Sequence, residues 1–106
     1  DRKRPKPPTA LCAFTDTLAV AALRVLQARG WRIPQDISVT GFDNVELCEM
    51  VHPGLTTASV PRSEMGRIAA RKLIAMVSGR EQGESIEVDT ALVVRGSTGP
   101  AREEKT

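Results

Sequence analysis

The sequence predicts an α/β fold in which a parallel sheet is flanked by helices, and three observations lead to this prediction. A short apolar run without alternation occurs at 10–14, as in a strand covered on both faces, and 37–40 is predicted to be a second strand. Between them, 17–29 has the apolar period of an amphipathic helix. A strand, a helix and a strand within about 30 residues form one parallel crossover unit of a Rossmann-like sheet.

The flanks of the first helix carry capping signals. Thr15 or Asp16 can accept a hydrogen bond from an orphan backbone amide at the helix N-terminus. Of the two, Asp16 is the better candidate for the cap. Gly30 suits the left-handed residue that follows the last turn.

After the second strand, which ends at Gly41, the pattern changes to shorter elements. A short helix is predicted at 45–50, a turn at 52–54 and an extended segment at 55–60. His52 lies in that turn, which favours a loop residue over a metal ligand or a base.

A longer helix is predicted from Ser63, a good cap, to Ser78, with Gly79 as its stop signal. Its apolar positions share one face and are expected to be buried: Met65, Ile68, Ala69, Leu73 and Met76. The alternation of apolar and polar residues over 86–95 predicts a last strand.

Length and composition indicate a globular chain. Its 106 residues suit one domain or a piece of a larger one, and 41% are hydrophobic and 26% charged. The charged, proline-rich segment 1–8 and the polar tail 101–106 are expected to be flexible, which leaves 9–100 as the folded part.

The charge and the aromatic content argue against a nucleic-acid-binding surface in this chain. The net charge is +2 and much of the excess lies in 1–8, outside the predicted fold. The three aromatic residues, Phe14, Trp31 and Phe42, are too few for base stacking.

Cys12 and Cys48 lack any CxxC spacing, so neither a zinc site nor a redox motif is predicted, and no cofactor is implied. Both are expected to be buried, reduced thiols, as is typical of the cytoplasm. No apolar run approaches the roughly 18 residues of a membrane span, and no export signal is visible.

Polar side chains follow both predicted strands. Thr15 and Asp16 come after the first, and Phe42, Asp43 and Asn44 after the second. In parallel sheets the ligand crevice lies at the carboxyl ends of the strands. Hydroxyl, carboxylate and amide groups bind polyols, sugars or nucleobase edges, and Phe42 offers an apolar face. The segments Phe14 to Asp16 and Thr40 to Asn44 are therefore predicted to line a small-molecule pocket.

Catalysis has less support in the sequence. There is no nucleophile elbow, metal-ligand set or phosphate-binding glycine loop, and so no catalytic residue is predicted. A hydrolase that uses Asp16 and Asp43 as paired carboxylates stays as an alternative.

A series of motifs in order, from Pro8 to about Pro100, resembles the lactose/galactose-repressor (LacI/GalR) family of bacterial transcription regulators. The motifs are these: Pro8-Thr9-Ala10, Phe14 to Ala19, Ala22 to Leu26, Arg29-Gly30, Ile33 to Asn44, Pro53 to Thr57, Met65-Gly66 and Leu92 to Thr98. The resemblance implies the C-terminal part of a periplasmic-binding-protein-like (type I), two-lobed effector domain.

The resemblance also implies functional residues. It assigns effector contacts to Thr15, Asp43 and Val60. Phe42 is added to these contacts because it is predicted to offer an apolar face in the pocket. Family members often have Asn where this chain has Thr15. A dimer surface is implied at Val20, Arg24, Glu46, Met50 and Val51.

The implied function is to sense a sugar-like effector within a cytoplasmic, homodimeric regulator. Operator DNA would be bound only through a helix-turn-helix that this chain does not contain. The alternative is a secreted, periplasmic sugar-binding protein of a transporter, because that class shares the fold.

Overall fold

A computed structural model describes residues 6–103 of the chain. The elements, in chain order, are β1 (Ala10–Cys12), α1 (Asp16–Ala28), β2 (Ser38–Thr40), α2 (Leu47–Met50), β3 (Thr57–Ser59), α3 (Arg62–Val77) and β4 (Ala91–Val93). The described residues divide into a main unit, up to Ser59 and again from Leu92, and a second unit, Val60–Ala91.

The predicted parallel α/β arrangement is confirmed in the main unit. β1 and β2 pair in parallel, with Ala10 opposite Ser38 and Cys12 opposite Thr40. Further parallel bridges join Thr40 to Thr56 and Asp43 to Ser59. β3 in turn pairs with β4.

One hydrophobic cluster holds α1 against the sheet. Its buried members are Ala19, Val20, Leu23, Ile33, Ile37, Val39, Cys48 and Leu55. Full burial of each leucine or valine contributes about 1.5–3 kcal/mol relative to exposure, so this cluster supplies much of the stability of the main unit. It also explains why the helical period of α1 could be recognised in the sequence.

The environment of β1 differs from the prediction. Ala10 and Cys12 are exposed, while Leu11 is half-buried against the core. The core cluster covers one face of this strand, so an apolar run did not mean burial on both sides. Of the two thiols predicted to be buried, Cys48 is buried and Cys12 is not.

The second unit contains α3, whose bounds lie within one residue of the prediction, but none of its residues is buried. The predicted buried face is wrong, as Met65 and Leu73 with 41% and 61% exposure show. A unit of one helix and an irregular segment is too small to enclose an apolar face. Ile86 and Val88 cover part of it, along a groove of about 230 Å³.

The last strand is shorter than the 86–95 predicted, because β4 comprises Ala91–Val93 alone. Alternation of apolar and polar residues indicates that a segment has two different faces. A strand also requires a hydrogen-bonded neighbouring strand along its length. β3, its partner, has only three residues.

Polar contacts hold the segment after Gly96, which belongs to the part of the chain predicted to fold up to residue 100. Ser97 is fully buried, and its Oγ donates to the Val39 carbonyl at 2.6 Å and accepts from the Thr56 amide at 2.8 Å. Arg102 is also held in place, since its guanidinium donates to the carbonyls of Pro7 (2.7 Å), Pro8 (3.2 Å) and Asp36. The flexibility predicted for 1–5 and 104–106 lies outside the described residues.

At Gly41 the packing of the main unit leaves no room for a side chain. A Cβ placed there would lie 3.0 Å from the Asp16 Cα and 3.0 Å from the Leu55 Cδ2. Since one of these atoms belongs to the backbone, the clash cannot be relieved by a side-chain rotation.

Gly41→Ala is therefore expected to lower the free energy of unfolding by about 1–3 kcal/mol, the usual cost of overpacking. Gly66 in α3 is the matched control, because a Cβ there meets nothing within 4 Å. Gly66→Ala is expected to be neutral or to stabilise by up to about 1 kcal/mol through helix propensity. Urea unfolding measures both changes, and equal midpoints for the two variants would contradict the prediction.

Candidate functional site

A cleft of about 600 Å³ opens where β1 and β2 end. Its lining residues all belong to the main unit: Cys12, Ala13, Phe14, Thr15, Thr40, Gly41, Phe42 and Asp43. The cleft thus lies at the carboxyl ends of two adjacent parallel strands, where the sequence placed it.

Thr15 has two roles at this cleft. It is the N-cap of α1, with extended backbone and an Oγ1 that accepts from the Leu18 amide at 3.3 Å. The prediction that Asp16 caps the helix is therefore wrong. A hydroxyl that accepts one hydrogen bond still has a proton to donate, so Thr15 keeps a donor for a ligand in the cleft.

Asp16 is instead a buried carboxylate, 1% exposed, that joins separate segments. Its Oδ2 accepts from the Val45 amide at 2.9 Å and its Oδ1 from the Thr57 hydroxyl at 2.6 Å. Burial raises the pKa of Asp16, but the hydrogen bonds from Thr57, Val45, Cys48 and Asn44 together bring that pKa below its ordinary value. The carboxylate is thus stabilised in its charged form.

Cys48 lies beside this carboxylate in the core. Burial, together with its hydrogen bond to the negatively charged Asp16, raises the pKa of the thiol to about 11. Because the thiolate is the reactive form, Cys48 is an inert packing residue that also donates a hydrogen bond.

Asp43 and Asn44 form a turn with an unusual backbone. Their φ angles are +118° and +63°, a region that costs roughly 1–3 kcal/mol for a residue with a side chain. The Asp43 amide donates to the Ala58 carbonyl at 3.0 Å, and the Asn44 Nδ2 donates to the Ser59 Oγ at 3.4 Å. The surrounding contacts therefore hold the turn in a strained shape that brings Asp43 into the cleft lining.

Arg95 was not among the residues predicted for the site. Its Nη2 donates to the Asn44 Oδ1 at 2.8 Å, and its Nη1 donates to the Leu55 carbonyl at 2.9 Å. The available signal was a lone cation directly after an apolar run and before Gly96. That signal does not reveal a partner about 50 positions away.

The predicted ligand contacts fall in both units. Thr15, Phe42 and Asp43 line the one cleft, and Phe42 is 42% exposed there. Phe14, from the first of the two segments predicted to line the pocket, also lines it and is 86% exposed. Val60 begins the second unit, where it is half-buried.

Four of the five residues predicted for a dimer surface have exposed or half-buried side chains. Arg24, Glu46 and Met50 are exposed and Val51 is half-buried. Val20, the fifth, is 5% exposed, because helical spacing places it with Leu23 on the core side of α1. The helices α1 and α2 border a groove of about 340 Å³, lined by Leu23, Arg24, Gln27, Leu47, Met50, Val51 and His52.

The part of the chain that the structure describes, residues 6–103, lacks two further features. No group of three or more His, Cys, Asp or Glu side chains in this range is placed to hold a metal ion. No helix in the same range is both long and apolar enough to cross a membrane.

The fold defines a parallel α/β domain with a cleft at its strand ends, and comparison with known proteins identifies its family. A family model described as "Periplasmic binding protein-like domain" matches residues 1–98. The HTH-type transcriptional repressor CytR of Escherichia coli is 39% identical over 95 residues, covering 89% of this chain and 28% of the repressor.

Solved structures agree with the sequence comparison. A LacI transcriptional regulator from a Rhodococcus species superposes with a TM-score of 0.87 and 34% identity, over 96% of this chain and 38% of that one. A LacI family regulator from Enterococcus faecium with bound ribose gives a TM-score of 0.83 and 31% identity, over 92% and 37% of the two chains.

The chain therefore belongs to the periplasmic-binding-protein-like domain family, among the effector domains of LacI/GalR-type regulators. The predicted family and fold are both confirmed. The chain spans 28% of the length of the repressor that it matches.

The lowered pKa of Asp16 makes stability depend on pH. A carboxylate whose folded pKa lies below its unfolded value of about 3.9 stabilises the fold above that value, and this stabilisation is lost as the pH falls through the folded pKa. At pH 7, Asp16→Asn is expected to cost about 1–3 kcal/mol, and the difference from the unsubstituted protein should narrow towards pH 3.

The measurement is the urea midpoint of each protein between pH 3 and pH 7. Asp89→Asn removes an exposed carboxylate in the second unit and is expected to leave the midpoint unchanged across this range. A constant difference between Asp16→Asn and the unsubstituted protein at every pH would contradict the linkage to Asp16.

Proposed function

We propose that this chain is the effector-sensing part of a cytoplasmic, DNA-binding transcription regulator, and that its ligand is a sugar-like small molecule. Operator DNA would be bound by a helix-turn-helix segment outside this chain. The observation that carries the proposal is the cleft at the ends of β1 and β2, with Thr15, Phe42 and Asp43 in its lining.

The side chains in the cleft suit the chemistry of a sugar. The Asp43 carboxylate accepts hydrogen bonds from ligand hydroxyls, and the Thr15 hydroxyl donates one. The exposed rings of Phe14 and Phe42 offer apolar surface to the C–H face of a pyranose or furanose ring. The ribose bound to the related Enterococcus faecium regulator supports a ligand of this class. We also propose Val60 as an effector contact, as the family resemblance implies.

The hydrolase alternative requires Asp16 as a second catalytic carboxylate, and Asp16 is not available for that role. Both oxygens of Asp16 already accept hydrogen bonds from the protein, and the side chain is 1% exposed. An acid or base must reach the substrate within hydrogen-bond distance, directly or through one water. A binding role, without catalysis, is therefore the function that the cleft supports best.

The transporter-protein alternative is disfavoured by the relatives. CytR of Escherichia coli is a transcriptional repressor, and both structural neighbours described above are LacI-type regulators. The fold is shared with secreted sugar-binding proteins, but the identities favour the regulators.

Signal transmission requires a second element, and the groove between α1 and α2 is the proposed dimer surface. Met50 is 74% exposed and Leu47 37%, beside the opposite charges of Arg24 and Glu46. In a two-fold dimer the same patch faces itself, so Arg24 of one copy can pair with Glu46 of the other. A ligand that prefers one of two states would then shift the population of the whole dimer.

Sugar binding is expected to depend on Asp43. In calorimetric titrations with ribose, cellobiose, lactose and adenosine, Asp43→Asn should weaken the affinity of any bound probe at least about tenfold, the value of one charged hydrogen bond. The bound probe should also slow the alkylation of Cys12, an exposed thiol in the cleft lining. Asp89→Asn is the control for loss of a carboxylate elsewhere. Titration heats that Asp43→Asn leaves unchanged would reject the assignment.

Dimerisation is expected to depend on Met50. Met50→Glu places a charge on an exposed apolar residue of the groove, and the dimer dissociation constant should rise about tenfold or more. The fold should survive, because Met50 is 74% exposed. Gln35→Glu adds the same charge to an exposed loop outside the groove. Sedimentation equilibrium compares the variants, and an unsubstituted protein that remains a monomer would overturn the proposed surface.

A further inference from the structure

Arg95 does not line the cleft, yet it contacts the turn that does. Its side chain is 16% exposed, and the guanidinium bridges two acceptors, the Asn44 Oδ1 at 2.8 Å and the Leu55 carbonyl at 2.9 Å. The first acceptor belongs to the turn after β2, and the second lies just before β3. One side chain therefore ties the C-terminal segment to both.

The backbone and the side-chain stem of Arg95 are themselves held in place. The Arg95 amide donates to the Thr56 Oγ1 at 2.9 Å, and the Arg95 carbonyl accepts from the same hydroxyl at 3.1 Å. The stem of the side chain lies against Gly54, where an added Cβ would be 3.2 Å from the Arg95 Cδ. A bridge anchored in this way can fix its partner instead of following it.

Asn44 passes this constraint on to Asp43. Both ends of its amide are engaged, the Oδ1 by Arg95 and the Nδ2 by the Ser59 hydroxyl at 3.4 Å. Its φ of +63° and the φ of +118° at Asp43 form one continuous strained stretch. If the Asn44 side chain were released, the backbone at both positions could relax and the Asp43 carboxylate would move.

Glu49 is a third partner of Arg95, but it contributes less. Its Oε1 lies 3.5 Å from the Arg95 Nη2, and its side chain is 73% exposed. Exposed ion pairs contribute little because solvent screens them, whereas charge-assisted hydrogen bonds to partly buried acceptors are stronger. The bridge to Asn44 and Leu55 is therefore the important part of the network.

We infer that Arg95 is a positioning residue for the cleft: through Asn44 it holds Asp43 where a ligand can reach its carboxylate. The effect on ligand affinity rests on the proposed function. The effect on the turn does not, because it follows from the contacts of Arg95 within the protein.

The experiment combines Arg95→Met, which keeps the apolar stem, with Asn44→Gly, which tolerates positive φ but lacks the acceptor. Arg95→Met is expected to raise amide exchange at Asp43 and Asn44 and to weaken the best sugar probe of the same panel, each about tenfold. In the Asn44→Gly background the further effect of Arg95→Met should be much smaller, because the shared contact is already absent. Glu49→Gln is the matched control and should change the affinity less than twofold.

Each result decides the inference. Equal effects of Arg95→Met in the two backgrounds, or unchanged amide exchange at the turn, would overturn it. Arg95→Lys keeps the charge without the two-pronged contact, should give an intermediate exchange rate, and replaces Arg95→Met if that variant does not fold. If the unsubstituted protein binds no probe, the proposed function fails, while the exchange rates still decide the role of Arg95.

Discussion

The buried carboxylate of Asp16 joins three segments that are separate in the sequence: the start of α1, the turn after β2 and the start of β3. Its oxygens accept from the Val45 amide and the Thr57 hydroxyl, and its own amide donates to the Phe42 carbonyl at 3.1 Å. A buried charge is tolerated only with such partners, since an unpaired one would cost several kcal/mol. The close approach of Gly41 to Asp16 belongs to the same arrangement.

The C-terminal segment completes the main unit by polar contacts more than by apolar burial. Ser97 links β2 to the residue before β3 through its hydroxyl, and Arg95 links the turn after β2 to Leu55. These contacts join residues about 40 to 60 positions apart, so the unit closes only when the last strand returns. The residues that line the cleft thus follow β1 and β2, and the C-terminal segment stabilises this part of the unit without lining the cleft.

Local patterns in the sequence were enough to find β1, α1, β2 and the position of the cleft, because an apolar period is encoded by neighbouring residues. The roles of Asp16 and Arg95 were not accessible in this way, since each depends on partners far along the chain. The buried face predicted for α3 shows a different limit. An amphipathic pattern indicates that a face will be covered, but it does not specify by what, and the second unit has too few residues to cover it.

At Asp43, where φ is +118°, the residue that is best for stability differs from the residue that is best for ligand recognition. Glycine would adopt this backbone without strain, and the fold would gain stability from the change. The same change would remove the only carboxylate among the described residues that line the cleft. A residue chosen for stability alone at this position is therefore different from one chosen for ligand recognition, and engineering this domain for stability would have to spare Asp43.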